Sequence, residues 1–262
     1  MSSDRGEIDA ALHDKLPRLI ELPDIHADLH THTTASDGLW SIEELAEHYR
    51  ALGYHTVAIT DHSASSVIAN GLNAKRLEKH ITAIRTAGSK IKGLTLLAGS
   101  EVDILADGKL DYPDSLLKEL DVVVASPHAS LSQDPAKATR RLLKAVENPC
   151  VHILGHPTGR LINRREGLHP DMSTLFKAAS QSGTAMEINA SPFRLDLNDI
   201  HARAALEAGC LLSINTDAHG PADTAMMRFG VTTARRAWAE PKHVINCMTA
   251  AKLHAWLKNK RG

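Results

Sequence analysis

The chain has 262 residues, enough for one large domain or two small ones, and 43% of them are apolar, which excludes a disordered chain. Aromatics are only 3%, which argues against an aromatic stacking platform for single-stranded nucleic acid, and a net charge of −1 excludes a uniformly basic, DNA-wrapping surface while leaving room for a local basic patch. The longest apolar run, Val122–Ala125, falls far short of the ~20 residues of a membrane span, and the polar start MSSDRGEIDAALHDK has no signal-peptide core, so a soluble, cytoplasmic protein with no membrane partner is expected.

In chain order, residues 1–23 predict a lead-in helix over Ile8 to Leu22. Seven short apolar runs follow: Ala27–His30, Thr56–Thr60, Leu94–Ala98, Val122–Ala125, Val151–Leu154, Thr184–Ile188 and Leu211–Ile214. Each is apolar on both alternating faces, as in a strand buried on both sides of a parallel sheet. Helical patterns separate them. Ser41-Ile42-Glu43-Glu44 forms a capping box for a helix that Gly53 ends, and Asp134-Pro135 reads as N-cap and first helical residue. Asp171 caps Met172–Ser182, closed by Gly183; Asn198 or Asp199 starts a helix that Gly209 ends; Thr249 caps a C-terminal helix over 249–260.

Consecutive β/α units make either an open doubly wound sheet or a closed barrel. No G-x-G-x-x-G follows the first strand, so a dinucleotide fold lacks its main support. A (β/α) barrel takes about 250 residues. The expected fold is therefore α/β, a distorted seven-stranded TIM-like barrel forming a single domain over 1–262. Cys150, Cys210 and Cys247 lie far apart with no C-x-x-C, which argues against a disulfide framework and a thiolate zinc site, and Cys150 and Cys210, each at the start of an apolar run, read as small buried hydrophobes.

The 16 histidines decide the chemistry. The strands end in or lead to His30-Thr31-His32 with Asp37, Asp61-His62, Glu101, His128, His156, Glu187-Ile188-Asn189, and Asp217-Ala218-His219. In a β/α barrel these ends converge on one face, where such enzymes place their active sites. Six histidines and three carboxylates would then line one pocket. Imidazole with carboxylate suits Zn, Mn or Fe, and nine ligands at three or four per ion imply two or three divalent ions. The remaining histidines read as surface or packed residues.

These residues sit in motifs that resemble a known family. DLHTH (28–32), SDG (36–38), ITDHS (59–63), GSEVD (99–103), ASPH (125–128), GHPTGR (155–160) and TDAH (216–219) resemble the polymerase-and-histidinol-phosphatase (PHP) superfamily. EINASPFRLDL (187–197), FGVTTARRAW (229–238) and the lead-in over 5–22 resemble more narrowly the C-terminal PHP domain of bacterial family X DNA polymerases. No nucleotidyltransferase domain precedes it here, so polymerase activity is not carried over: the chain is either a free-standing relative or an excised portion, with a polymerase domain missing from this chain as the expected partner in the second case. The resemblance implies a trinuclear site. One ion would take His30, His32, Glu101 and Asp217; Glu101 would bridge to a second, held by His128 and His156; Asp37, His62 and His219 would hold the third. Aspartate at 37, where dedicated histidinol phosphatases commonly have histidine, leans toward the polymerase branch.

The expected reaction is phosphate-ester hydrolysis. Clustered divalent ions lower the pKa of a bridging water and clamp the attacking and leaving oxygens, so a bridging hydroxide would be the nucleophile. Glu101 and Asp217 would be catalytic through the ions. Arg160, four residues past His156, would be catalytic by gripping phosphate bidentately. Arg194 and Asn189 are further candidates for the phosphate. Asp28 and Asp61 either orient ligand imidazoles or cap loops. Three functions compete: processing of DNA 3′ ends as 3′–5′ exonuclease and 3′-phosphatase, hydrolysis of small phosphomonoesters such as histidinol phosphate or nucleotides, and a non-catalytic scaffold. Intact ligands weigh against the scaffold. A strip of Arg160, Arg164, Arg165, Arg194, Arg235 and Arg236 would guide a DNA end.

Overall fold

In the computed structural model, which describes residues 6–260, the chain runs α1 (Glu7–Leu12), β1 (Ala27–Asp28), α2 (Ile42–Ala51), β2 (Thr56–Ile59), α3 (Ala74–Gly88), β3 (Thr95–Asp103), α4 (Asp114–Leu117) and β4 (Val122–Ser126). It continues through α5 (Pro135–Val146), β5 (Ile153–Leu154), α6 (Met172–Ser182), β6 (Ala185–Asn189), α7 (Asp199–Glu207), β7 (Leu212–Asn215), α8 (Met227–Arg236) and α9 (Ala250–Asn259). The seven strands lie side by side in chain order, every pair parallel. An isolated parallel bridge between Thr31 and Ala218, with His32 N donating to Ala218 O at 2.9 Å, brings the last strand back to the first. The result is a nearly closed, distorted TIM-like barrel. Among the described residues no helix is long and apolar enough to cross a membrane.

Strand parity divides the core. Ala58, Leu97, Val122, Val124, Ile153 and Ala185 point into the barrel, where Leu253 and Leu257 of α9 join them. The alternate residues Val57, Ile59, Leu96, Ala98, Val123, Leu154, Met186 and Ile188 pack against the surrounding helices. Each large aliphatic side chain buried this way contributes about 1.5–3 kcal/mol. The predicted caps form. Ser41, Asp134, Asp171, Asn198 and Thr249 each accept from a backbone N–H in the first turn of the following helix. Cys150 and Cys210 are buried and Cys247 is half-buried, all three as free thiols.

Two expectations are corrected. The lead-in is not a helix to Leu22: α1 stops at Leu12, and residues 1–5 of the expected segment lie outside the described residues. Pro17 has no N–H to give and would clash with the preceding turn of a helix. The chain instead runs on extended, and Ile20 N donates to Ala239 O at 2.9 Å. The third strand is also longer than its apolar run. It pairs with β2 through Thr95–Ala98, then with β4 from Gly99 to Asp103. Gly99 marks that change of partner, because a Cβ there would stand 2.7 Å from Val122 Cγ1 and 2.9 Å from Thr60 Cγ2. Glu101 therefore stands within the strand, two steps past inward-facing Gly99, and projects into the barrel mouth.

Candidate metal centre

The loop after β1 carries His30, His32 and Asp37. Asp61, buried beneath it, organises this loop. It accepts from Thr33 N at 2.9 Å, Thr33 Oγ1 at 2.7 Å and Ser36 Oγ at 2.5 Å. His80 of α3 backs Asp61 at 2.7 Å. Burial opposes its charge, but His80, His32 and the Ser36 hydroxyl hold Asp61 down to about 2. Asp28 accepts from Tyr49 OH at 2.8 Å and from Thr216 N at 3.2 Å. Of the two alternatives for Asp28 and Asp61, the observed bonds are those of buried carboxylates that fix loops.

Glu101 is the centre of the arrangement, with 0% exposure. Its Oε1 lies 2.8 Å from His156 Nε2, 3.2 Å from His128 Nε2 and 3.3 Å from His30 Nε2. Its Oε2 lies 2.9 Å from His62 Nδ1 and 3.7 Å from His32 Nε2. Asp217 Oδ1 lies 3.0 Å from His32 Nε2 and 3.6 Å from His30 Nε2. Asp37 Oδ2 lies 3.4 Å from His219 Nε2 and 3.7 Å from His62 Nε2. The nine residues singled out from the sequence thus meet in one cluster. Three sets within it present donor atoms mutually within 4.8 Å: His30, His32, Glu101 and Asp217; His32, Asp37, His62 and His219; and His62, Glu101 and His128.

The local backbone is bent to deliver these groups. His156 and Asp217 adopt positive φ, 21° and 56°, a conformation that costs a non-glycine residue of order 1–3 kcal/mol. Gly155 admits the close approach before His156, since a Cβ there would stand 2.3 Å from Ser126 Oγ.

A cation fits this donor set. His30 Nε2, His62 Nδ1 and Glu101 Oε2 are buried and make no hydrogen bond among the described residues, although His62 Nδ1 lies only 2.9 Å from Glu101 Oε2. Close approach without hydrogen-bond alignment is the geometry of lone pairs converging on a shared third point. The electrostatics agree. Burial would raise the Glu101 carboxyl, but His128, His30 and His62 hold it well below the usual carboxylate range. Burial favours neutral imidazole at His128, yet Glu101 and Asp103 raise it to about 10. At His219 burial is likewise outweighed, by Asp37 and Asp217, and its pKa stands at about 9. The negative charge that raises these two rings also attracts a cation, whereas burial prevails at His32, lowered to about 4, and at His156, also lowered.

Two orienting carboxylates were not singled out from the sequence. Glu187, also fully buried, accepts from His30 Nδ1 at 2.8 Å, Asn215 Nδ2 at 2.8 Å and His156 N at 2.6 Å. Asp103 accepts from His128 Nδ1. Such partners fix the ring and tautomer of a metal-binding histidine. Strand parity is the signal that could have found both: Glu187 is two residues past inward-facing Ala185, and Asp103 two past Glu101.

The candidate phosphate residues have different neighbours. Asn189 Nδ2 donates to Asp217 Oδ2 at 3.0 Å, so its amide nitrogen positions a carboxylate. Arg160 donates through Nε to Arg194 O at 2.8 Å and through Nη2 to Leu195 O at 2.5 Å. Arg194 itself brings Nε within 3.9 Å of Asp217 Oδ2, and its buried Nη1 has no hydrogen bond among the described residues. The arginine strip divides. Arg165 donates to Gly159 O beside this group, whereas Arg235 donates to Ile20 O and Arg236 pairs with Asp199.

The PHP domain family profile matches residues 28–191, more than half of the chain. This chain belongs to the PHP domain family. Among PHP proteins it is 45% identical over 240 residues to the "DNA polymerase/3'-5' exonuclease PolX" of Bacillus subtilis strain 168, a match covering 92% of this chain and 42% of that relative. The chain thus spans less than half the length of that PHP relative. It is 29% identical over 246 residues to a Thermoanaerobacter sp. strain X514 protein named "Probable phosphatase", covering 89% of this chain and 95% of that one. A solved structure of histidinol phosphate phosphatase from Lactococcus lactis, complexed with zinc, L-histidinol and phosphate, shares the fold with a TM-score of 0.58 at 16% identity, over 81% of this chain and 93% of that one.

Proposed function

We propose that this PHP chain is a metal-dependent phosphoesterase that processes DNA 3′ ends, as a 3′–5′ exonuclease and 3′-phosphatase. The observation that carries the hydrolytic reading is Glu101, one buried carboxylate faced by five imidazoles. Divalent ions bound in such a set supply a water of lowered pKa and polarise the phosphoryl oxygens. In this reading two or three ions of Zn, Mn or Fe are shared out as the family resemblance implies. His30, His32, Glu101 and Asp217 would hold one; His128 and His156, with Glu101, would hold a second; Asp37, His62 and His219 would hold a third.

The chain's other residues act by holding and orienting. Glu187 accepts a hydrogen bond from His30 Nδ1 and so leaves the Nε2 lone pair, which faces Glu101 and Asp217, for an ion shared with those carboxylates. Asp103 does the same for His128, and Asn189 steadies Asp217. Arg194, beside Asp217 with an Nη1 that makes no hydrogen bond among the described residues, is the better-placed phosphate grip; Arg160 acts behind it by anchoring its loop. Guanidinium is suited to bidentate contact with phosphate.

Similarity to PolX over nearly the whole chain supports a DNA end over a small ester, as does the grouping of Arg160, Arg165 and Arg194. The alternative, a phosphatase of histidinol phosphate or nucleotides, is favoured by the phosphatase relative of comparable length. Purified protein with Mn²⁺ is assayed on a labelled DNA 3′ end, histidinol phosphate and mononucleotides. Turnover of the DNA end at the highest kcat/KM is expected. Hydrolysis of the small esters with the DNA end left intact rejects the DNA reading for the alternative.

A further inference from the structure

Beside the arginine that reaches the cluster stands an aromatic ring exposed over more than half of its surface. Phe193, on the loop after β6, is 58% exposed. It immediately precedes Arg194, which reaches back toward Asp217. The loop backbone is fixed. Ser191 O accepts from Arg194 N and Leu195 N, both at 2.9 Å, and Phe193 O accepts from Ile162 N at 2.8 Å. Arg160 clamps the next two carbonyls. Adjacent side chains thus leave one rigid backbone in two directions, a guanidinium toward the cluster and a phenyl ring toward solvent. The Arg164 guanidinium carbon lies 5.9 Å from the ring centroid, and the 160–166 loop borders a cleft of about 550 Å³.

More than half of this ring is left in water on a tethered loop. A flat apolar face beside guanidinium groups, one residue from an arginine aimed at the cluster, matches a nucleotide, whose planar base is joined to an anionic phosphate. We propose that Phe193 is a stacking platform for the base on the 5′ side of the scissile phosphate in an unpaired DNA 3′ end. The proposal rests on the DNA-end reading above. The low aromatic content argues against a row of stacking rings, but one placed ring suffices for one base. A paired terminus must first give up its own stacking and pairing to reach the ring, so an unpaired tail is the end on which the stack is tested.

The test compares wild type, Phe193→Ala and Phe193→Trp on a DNA end with an unpaired 3′ tail, the same end with an abasic site at the stacked position, and p-nitrophenyl phosphate. The measured quantity is the ratio of kcat/KM on the unpaired end to that on p-nitrophenyl phosphate. Phe193→Ala should lower this ratio by roughly ten-fold, within the ~5- to 150-fold that loss of one base–aromatic stack gives. Phe193→Trp should restore it. The abasic end should erase the difference between wild type and Phe193→Ala. Independently of turnover, 2-aminopurine at the stacked position should lose fluorescence on binding chelator-treated wild type and keep it with Phe193→Ala. DNA cleavage by Phe193→Ala with the wild-type ratio and the wild-type loss of 2-aminopurine fluorescence overturns this proposal alone. Wild-type turnover of p-nitrophenyl phosphate with no cleavage of any DNA end overturns the DNA-end reading, and the platform with it.

Discussion

Glu187→Gln tests the metal centre at a residue that would touch no ion. All three of its partners present hydrogens: His30 Nδ1 and Asn215 Nδ2 to Oε1, and His156 N to Oε2. A carboxylate accepts from all of them. Glutamine keeps the shape, but its NH₂ must replace one oxygen, so in either orientation a donor faces a donor at a site with 0% exposure. The orientation that keeps Oε1 an acceptor sacrifices the bond to His156 N; the other sacrifices those to His30 and Asn215. One lost charge-assisted bond is worth about 1.5–3 kcal/mol. At about 1.4 kcal/mol per factor of ten, that corresponds to a ~10- to 100-fold loss of metal affinity, the range found when outer partners of ligating histidines are changed. The assay is competition for Zn²⁺ against a chromophoric chelator, with far-UV circular dichroism to verify folding. A folded Glu187→Gln protein that binds Zn²⁺ as tightly as wild type refutes the reasoning, because Glu187 would then not orient a ligand.

Three further outcomes are expected. Elemental analysis after metal-supplemented expression should find two to three equivalents of Zn, Mn or Fe per chain; less than one contradicts a multinuclear centre. Glu101→Gln should lower kcat/KM at least as far as His62→Ala, and beyond the ~100-fold that marks outer-partner changes, whereas near wild-type turnover would remove Glu101 from the cluster. Arg194→Ala should raise KM for DNA ends and small phosphate esters alike, because uniform binding is lost, and should do so more than Arg160→Ala, with Arg160→Ala lowering Tm by freeing the carbonyls of Arg194 and Leu195; the reverse order would return the phosphate grip to Arg160.

Which of these features could be read from the sequence follows from where the information lies. Helix starts were legible because a cap is a local event. Asp171 needs only Thr174, three residues on, and Ser41 only Glu44. The barrel was legible because apolar runs and caps alternate at regular spacing. The lead-in helix expected to Leu22 runs through Pro17, where the covalent chain disfavours a helix interior. The meeting of nine histidines and carboxylates was legible because parallel strands present their exits to one face, whatever the helices between them do. The extent of β3 was not, because Gly99 looks like a stop and acts as the place where a strand changes partner. Glu187 and Asp103 stood in plain view, but their importance depends on parity, and parity can be fixed only by knowing which neighbour is already inside. The arginines mark the boundary most clearly. Arg160 lies four residues from His156 and Arg194 lies 38, so chain distance favoured Arg160. The turn after β6 instead sets two carbonyls against Arg160 and sends Arg194 to Asp217. A guanidinium takes whichever acceptors the tertiary fold puts within reach, and no spacing along the chain encodes which those are.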